Sequence, residues 1–294
     1  VTNVGNSLIV INAETGTEVW KRDTDNCHKF YIQNNFIYAA FGDNYYGTSS
    51  ETYFKLNLTN GTVLLQSTFS PSDIGLSGGM RAIGIVPWTH PNGNEMVYVE
   101  NVNSNLLSNS SSIDLSADSV HAIYNTYYSG YPNKTNPIIK NTSVYQNSGG
   151  SAKKLNLVSK QIECFQFFSQ SKAKKNMILY ADKLYNSCGK NDAIEEFDLN
   201  LNKTNDLIGF TQFLGEEPSE GIYLHATNGK LYHQTYTSLI VYDFNKNKMT
   251  NRLNKGNTLD GVPVDYFMNS IAIDSATGYI YTGWEKNFIC IKPN

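Results

Sequence analysis

Residues 6–22 read NSLIVINAETGTEVWKR. The aliphatic run Leu8 to Ile11 enters an Asn-x-x-x-Gly turn, and a second short segment ends on Trp20. Branched aliphatic side chains favour extended backbone, while Asn and Gly accept the left-handed backbone that a tight connection needs. The pattern is a hairpin. A lone hairpin cannot bury its faces, so the fold depends on whether the pattern recurs.

It does recur. Residues 35–66 read NFIYAAFGDNYYGTSSETYFKLNLTNGTVLLQ, residues 229–252 read GKLYHQTYTSLIVYDFNKNKMTNR, and residues 278–293 read GYIYTGWEKNFICIKP. FIYAAFG, KLYHQTY and YIYTGWE fall in one column when these are overlaid. TYFKLNLTNGTVLL, SLIVYDFNKNKMTN and SLIVINAETGTEVW fall in the next, joined by residues 193–210, AIEEFDLNLNKTNDLIGF. The spacing is about 45 residues, the length of one four-stranded propeller blade. Sheets of that size bury both faces only when stacked around a ring. The sequence therefore predicts an all-β fold, a β-propeller of four-stranded antiparallel blades. About six blades are expected, with five or seven as alternatives, in a single domain over residues 1–294.

Ring closure is expected from strands at both ends, because NFICIKPN (287–294) stops where the opening hairpin would continue it. First strands are expected near His28, Met80, Cys164, Gly221 and Met268. Trp20, like its counterpart Leu65, is placed on an outer strand, where a large side chain packs between blades. Residues 101–154 are rich in Ser, Asn and Tyr and read as a long loop insertion, the kind of segment that often carries function.

Residues 8–21, LIVINAETGTEVWK, resemble the repeat of the quinoprotein-dehydrogenase-like (PQQ-like) propellers. Asn57-Leu-Thr-Asn-Gly-Thr is a second copy, and Asp198 and Asp243 head degraded ones. Residues 269–283, NSIAIDSATGYIYTG, are similar to repeats of the six-bladed calcium-dependent lactonase and strictosidine-synthase-like propellers. Both resemblances imply a propeller. The quinone site that the first family implies is not carried over: the four cysteines lie far apart and the three tryptophans are Trp20, Trp88 and Trp284.

Composition bounds the function. Of 294 residues, 40% are hydrophobic and 13% aromatic, enough for a substantial core, and only 17% are charged. A net charge of −3 gives no basic footprint for nucleic acid. No stretch has the roughly 18 apolar residues of a membrane span. The chain starts at Val1 rather than Met, which would follow removal of a signal peptide. Sequons at Asn57, Asn60, Asn109, Asn133, Asn141 and Asn202 predict glycosylation on a secretory route. The even set of cysteines, without CxxC spacing, predicts disulfides Cys164–Cys188 and Cys27–Cys290, with buried thiols as the alternative.

Candidate sites follow from the propeller geometry. His28, Arg81, Glu163, Glu220, Asp265 and Asn269 are placed at the starts of inner strands, where side chains converge on a channel. Glu220, Asp265 and Asn269 would suit Ca²⁺, a hard cation bound by several oxygens; the competing reading is channel-mouth residues satisfied by water and backbone. His225 and His233 straddle the Asn228-Gly229 turn and would face each other across a hairpin. Tyr124, Tyr127, Tyr128 and Tyr131 read as a binding surface for protein or glycan, or as a loop packed on the rim. No GxSxG, HExxH or phosphate loop is present. The expectation is a secreted, glycosylated binding or structural module with a protein or glycan partner, and self-assembly as a further possibility. The alternative is a calcium-dependent hydrolase with its metal in the channel.

Overall fold

The computed structural model describes residues 1–4, 7–23, 26–43, 49–103, 107–124, 128–129, 136–148, 151–167, 177–187, 194–207, 223–234, 238–254, 258–259, 262–263, 267–284 and 287–292. Its strands form successive antiparallel meanders. β1 (Thr2–Val4), β2 (Ser7–Ile11) and β3 (Glu18–Asp23) make a three-stranded sheet. β4 (Asn26–Gln33), β5 (Phe36–Gly42), β6 (Glu51–Asn57) and β7 (Val63–Phe69) make the first four-stranded one. A 3-10 turn, Pro71–Ile74, leads to β8 (Met80–Thr89), β9 (Glu95–Asn103), β10 (Leu107–Asp114) and β11 (Ser119–Ile123), with β12 (Tyr128–Ser129) paired to β10.

β13 (Ile138–Lys140), β14 (Ser143–Ser148), β15 (Ser151–Asn156) and β16 (Ile162–Phe167) follow. Next come β17 (Met177–Tyr180), β18 (Lys183–Ser187), β19 (Ile194–Phe197) and β20 (Lys203–Leu207). The last complete meander is β21 (Tyr223–Thr227), β22 (Lys230–Gln234), β23 (Ser238–Asp243) and β24 (Lys248–Asn254). A two-stranded ribbon, β25 (Thr258–Leu259) and β26 (Val262–Pro263), precedes the sheet of β27 (Phe267–Ile273), β28 (Ile280–Trp284) and β29 (Asn287–Ile291). The architecture is an all-β, six-bladed propeller of antiparallel four-stranded blades, five of them complete, with three-stranded sheets at the chain ends.

Two compact units divide the chain: Val1–Ser148 with Lys154–Glu163, and Gly149–Lys153 with Cys164–Asn294. In each, the core lies between successive sheets. In the first unit, Tyr38, Tyr53 and Phe69 meet Met80, Ile85 and Val97, and Trp88, Tyr98 and Tyr124 meet Val144, Leu155 and Leu157. In the second, Tyr185 and Ile194 meet Leu231 and Ile240, and Tyr232 and Leu239 meet Ile271 and Ile280.

The second strand of each full blade, and of the last three-stranded sheet, explains this layering. An aliphatic residue followed by Tyr recurs as Ile37-Tyr38, Val97-Tyr98, Val144-Tyr145, Leu184-Tyr185, Leu231-Tyr232 and Ile280-Tyr281. Neighbours along a strand point to opposite faces, and both members are buried in the first five pairs. These strands are covered on both sides, as the middle of a stacked blade must be.

The hairpin pattern is one turn used repeatedly. Asn12, Asn57, Asp114, Asn156, Asp198 and Asp243 each stand between the last two strands of their sheet, and each accepts backbone N–H bonds on its own carboxyl or amide oxygen from two or more residues ahead. The turn closes through a residue with positive φ: Gly16, Gly61, Asp118, Lys160, Leu201 and Asn247. Left-handed backbone costs a residue with a Cβ roughly 1–2 kcal/mol, so glycine is favoured there but not obligatory. Asp274 and Gly278 build the same turn between β27 and β28, the first two strands of their sheet.

Three expectations change. Residues 101–154 are not a loop insertion: among the described residues they contain the end of β9, β10 to β14 and the start of β15. β10 carries Ser108, Asn109, Ser110, Ser111 and Ser112, all buried. Small polar side chains fit an interior strand whose backbone is paired on both sides, so their polarity misreads as loop. Cys164 and Glu163 lie on β16, the outermost strand of its sheet, not on an inner one. First strands begin instead at Ile138 and Met177 in the fourth and fifth sheets.

Candidate functional site

One group of deeply buried polar side chains gathers where first strands of neighbouring sheets approach in the first unit. β4 and β8 each carry a bulge there, between Cys27 and Lys29 and between Ala82 and Gly84. A bulge inserts a residue and re-aims its side chain; in β4 that residue is His28. Its side chain is 1% exposed, and its Nδ1 donates to Glu51 Oε1 at 2.7 Å. Glu51 opens β6 and is fully buried. The same oxygen accepts the Ala82 N–H at 3.0 Å, so a carboxylate from one sheet braces the backbone of the next.

Tyr53, also fully buried, donates to Asn101 Oδ1 at 2.9 Å and stands 3.4 Å from Glu51 Oε2. Burial, with the Glu51 charge behind it, holds the Tyr53 phenol well above its ordinary pKa. Burial likewise pushes the Cys27 thiol up to about 12, with Glu51 adding to the shift. Neither is a nucleophile at neutral pH, since the thiolate is the reactive form. A carboxylate that fixes one imidazole nitrogen usually prepares the other for a proton or a metal. Here His28 Nε2 is itself enclosed, with no partner among the described residues. The arrangement ties sheets together; solvent does not reach the imidazole.

A second polar seam lies beside it. Gln146 Nε2 on β14 donates to Glu100 Oε1 on β9 at 2.7 Å. Burial raises the Glu100 carboxyl to about 7, against the opposing pull of Gln146, Lys29 and Tyr98. Gly84 makes the approach possible: a Cβ there would lie 2.7 Å from Pro137 Cδ and 3.0 Å from Glu100 Oε2. Asn136 laces the same place, accepting the Ile85 N–H at 3.0 Å and donating to the Phe30 carbonyl at 2.9 Å. In the second unit, Thr282 Oγ1 donates to Gln234 Oε1 at 2.6 Å, and burial lowers the His233 imidazole to about 4.

The expected site residues separate. Tyr124 is buried, not a surface residue: its hydroxyl is 2.7 Å from Ser112 Oγ and donates to the Leu157 carbonyl at 3.1 Å. Tyr127 and Tyr131 lie outside the described residues, and Tyr128 is described only as backbone in β12. Glu220 and Asp265 also lie outside them, and Asn269 is described only as backbone in β27. No group of three or more His, Cys, Asp or Glu that could hold a metal occurs among the described residues. Glu163 is exposed and pairs with Lys154 at 3.1 Å. Arg81 is half-buried near the start of β8.

Among the described candidates, His28 reaches a buried protein partner, Glu51. His225 lies opposite Tyr232, and His233 opposite Leu224, so the two histidines occupy opposite faces of the hairpin and do not meet.

The sequons divide too. Asn60, Asn141 and Asn202 are exposed on turns and Asn57 is half-buried. Asn109 is buried, its Nδ2 donating to the Ile74 carbonyl at 3.0 Å, so it cannot accept a glycan in the folded chain. Asn133 is outside the described residues. The cysteine pairing is corrected as well. Cys27, Cys164 and Cys290 are thiols, so neither Cys27–Cys290 nor a Cys164 bridge forms; Cys188 lies outside the described residues. Cys27 instead packs in the core and donates to the Lys29 carbonyl at 3.8 Å.

Sequence reasoning missed the outer surface. Exposed apolar side chains concentrate on outermost strands: Val19 on β3, Val63 and Leu64 on β7, Ile123 on β11 and Ile162 on β16, with Val158 in the turn before β16. Ile123, Val158 and Ile162 are 37%, 44% and 48% exposed. Their sheets adjoin, since Ala122 and Tyr124 share a buried cluster with Leu157, while Ile123 itself turns to the opposite face, beside Gly75. The signal was present as alternation in SVHAI and IECFQF, but period 2 alone does not say which face is open.

No family model matches the chain, and no curated protein matches it. Among solved structures it is similar to BamB from Moraxella catarrhalis, with a TM-score of 0.58 at 12% identity, over 97% of this chain and 78% of that one. No described helix is long and apolar enough to cross a membrane. With the repeated Asx turns, the aliphatic-Tyr second strands and this likeness, the chain has the fold of the PQQ-like repeat β-propellers.

Proposed function

We propose that the chain is a protein-recognition module, secreted and glycosylated, that engages its partner through the outer strands β11 and β16. The observation that carries this reading is the exposed apolar set Ile123, Val158 and Ile162 on adjoining sheets of the first unit. Exposed apolar side chains on adjoining outer strands offer an edge that a partner can cover. The polar clusters near the first strands do not compete for the role, since they are enclosed and spent on bracing the sheets. Exposed sequon turns at Asn60, Asn141 and Asn202 support the secretory half of the proposal; the thiols at Cys27, Cys164 and Cys290 weigh against an oxidising compartment.

A photoreactive residue at position 162, introduced in the producing cell, should give one discrete protein adduct, and the same residue at Asn202 should not. With that partner purified, Ile162→Asp should weaken binding at least tenfold, equivalent to about 1.4 kcal/mol. Unchanged affinity would remove the outer-strand surface from the account. Intact mass before and after glycosidase treatment tests the secretory half separately: loss of sugar mass is expected, and no change would refute it.

A further inference from the structure

We propose that the edge of β7, residues Val63–Phe69, pairs antiparallel with the same strand of a second copy of this chain, giving a two-fold dimer. The inference goes beyond partner recognition at β11 and β16 and rests on a different strand.

Among the described residues, β7 is the last strand of its sheet, paired with β6 on one side only. The other edge of an outermost strand carries backbone N–H and C=O groups without a ladder, a template for another strand. Proteins usually guard such edges with charge, above all lysine. Among the described outer strands, β3 has Glu18, Lys21, Arg22 and Asp23, β20 has Lys203 and Asp206, and β24 has Lys248 and Arg252. β16 has Glu163. The uncharged β11 and β29 have five residues each against the seven of β7, and the 3-10 turn Pro71–Ile74 lies against β11. β7 reads VLLQSTF, seven residues with no charge, no proline and no glycine.

The occupant follows from self-complementarity. Only one antiparallel register overlaps all of Val63–Phe69 with itself, and it sets Gln66 opposite Gln66 on the two-fold axis. That register puts Leu64 opposite Thr68. Leu64, Gln66 and Thr68 are the exposed residues of one face, so open side chains meet open side chains. The pair is uncharged on both sides, whereas the same arrangement of β3, β20 or β24 sets charged strands edge to edge. Such an isologous contact closes after two copies and does not propagate. A strand pair alone buries less than a standard interface, so the dimer is concentration-dependent.

The test is sedimentation of the purified chain across a concentration series. The parent should pass from monomer to dimer. Gln66→Lys should remain monomeric because it sets two ammonium groups face to face, and Gln66→Glu should do the same. Mixing the two variants should restore a dimer, at least tenfold tighter than either alone. Position 66 is exposed, so unchanged circular dichroism and melting confirm that the variants fold. In a background with Cys164 and Cys290 replaced by serine, Gln66→Cys should form a disulfide-linked dimer on mild oxidation, and Thr204→Cys on β20 should not. A parent chain that is monomeric up to its solubility limit overturns the proposal. So does a dimer unaffected by Gln66→Lys, which would locate self-association on another surface. Neither result bears on binding at Ile162, which is read with the separate partner.

Discussion

The indole Nε1 of Trp20, on β3, donates to the Leu58 carbonyl at 2.8 Å, a hydrogen bond between the first sheet and the β6–β7 turn of the next. The ring also lies on Gly61. Trp20 is half-buried rather than fully enclosed, and it packs against the cluster of Leu8, Ile37, Phe41 and Leu56. A sequence feature that identified the repeat is thus also a fastener between consecutive sheets.

Trp20→Phe should keep much of the ring contact and lose the hydrogen bond, at a cost of about 1 kcal/mol. Trp20→Ala should cost about 2–4 kcal/mol, toward the lower part of the range for large aromatic truncations because the ring is partly exposed. Urea unfolding of both variants checks this. Equal losses would mean that the hydrogen bond dominates.

Gly16 and Gly61 occupy the same turn position with φ of 72° and 71°. A Cβ at Gly16 would meet nothing within 4 Å, whereas one at Gly61 would lie 2.9 Å from the Trp20 ring. Gly16→Ala should therefore cost only the left-handed backbone penalty, about 1–2 kcal/mol. Gly61→Ala should cost more, by about 1 kcal/mol or above as the ring is displaced. In a Trp20→Ala background that difference should disappear, and chemical denaturation of the four chains reads it out.

Glu100 gives the fold a dependence on pH. Burial raises its carboxyl from an ordinary 4.5 to about 7, so the folded chain holds this proton more tightly than the unfolded chain does. Its contribution to stability is fully present below the unfolded value and is lost as pH rises through about 7. Glu100→Gln keeps a neutral group beside Gln146. Relative to the parent it should be more stable by on the order of 1–3 kcal/mol at pH 8, and the difference should shrink toward zero by pH 4.5. A difference that is constant with pH would contradict the assignment.

Architecture was legible because the Asx turn and the aliphatic-Tyr pair are local signals. Asn12 and Gly16 announce the turn directly; Asn156 and Lys160 build the same turn without glycine. The strand Leu107–Asp114 was hidden by its composition, since its serines are buried by pairing on both sides rather than by apolarity. The site was less legible for a related reason. His28 and Glu51 stand 23 residues apart and meet only because a bulge turns one strand toward the start of another. Tyr124 looked like surface in a tyrosine-rich run, yet its hydroxyl finds Ser112 and the Leu157 carbonyl across two sheets. Outer-strand exposure depends on which strand ends the sheet, and a repeat alone does not assign that.

The most direct test of partner recognition is hydrogen–deuterium exchange of the chain with and without the protein that crosslinks at position 162. Slowed exchange in β11 and β16 on complex formation, with β20 and β24 unchanged, is the result this account predicts. Protection confined to other strands, with β11 and β16 exchanging as in the free chain, would contradict it.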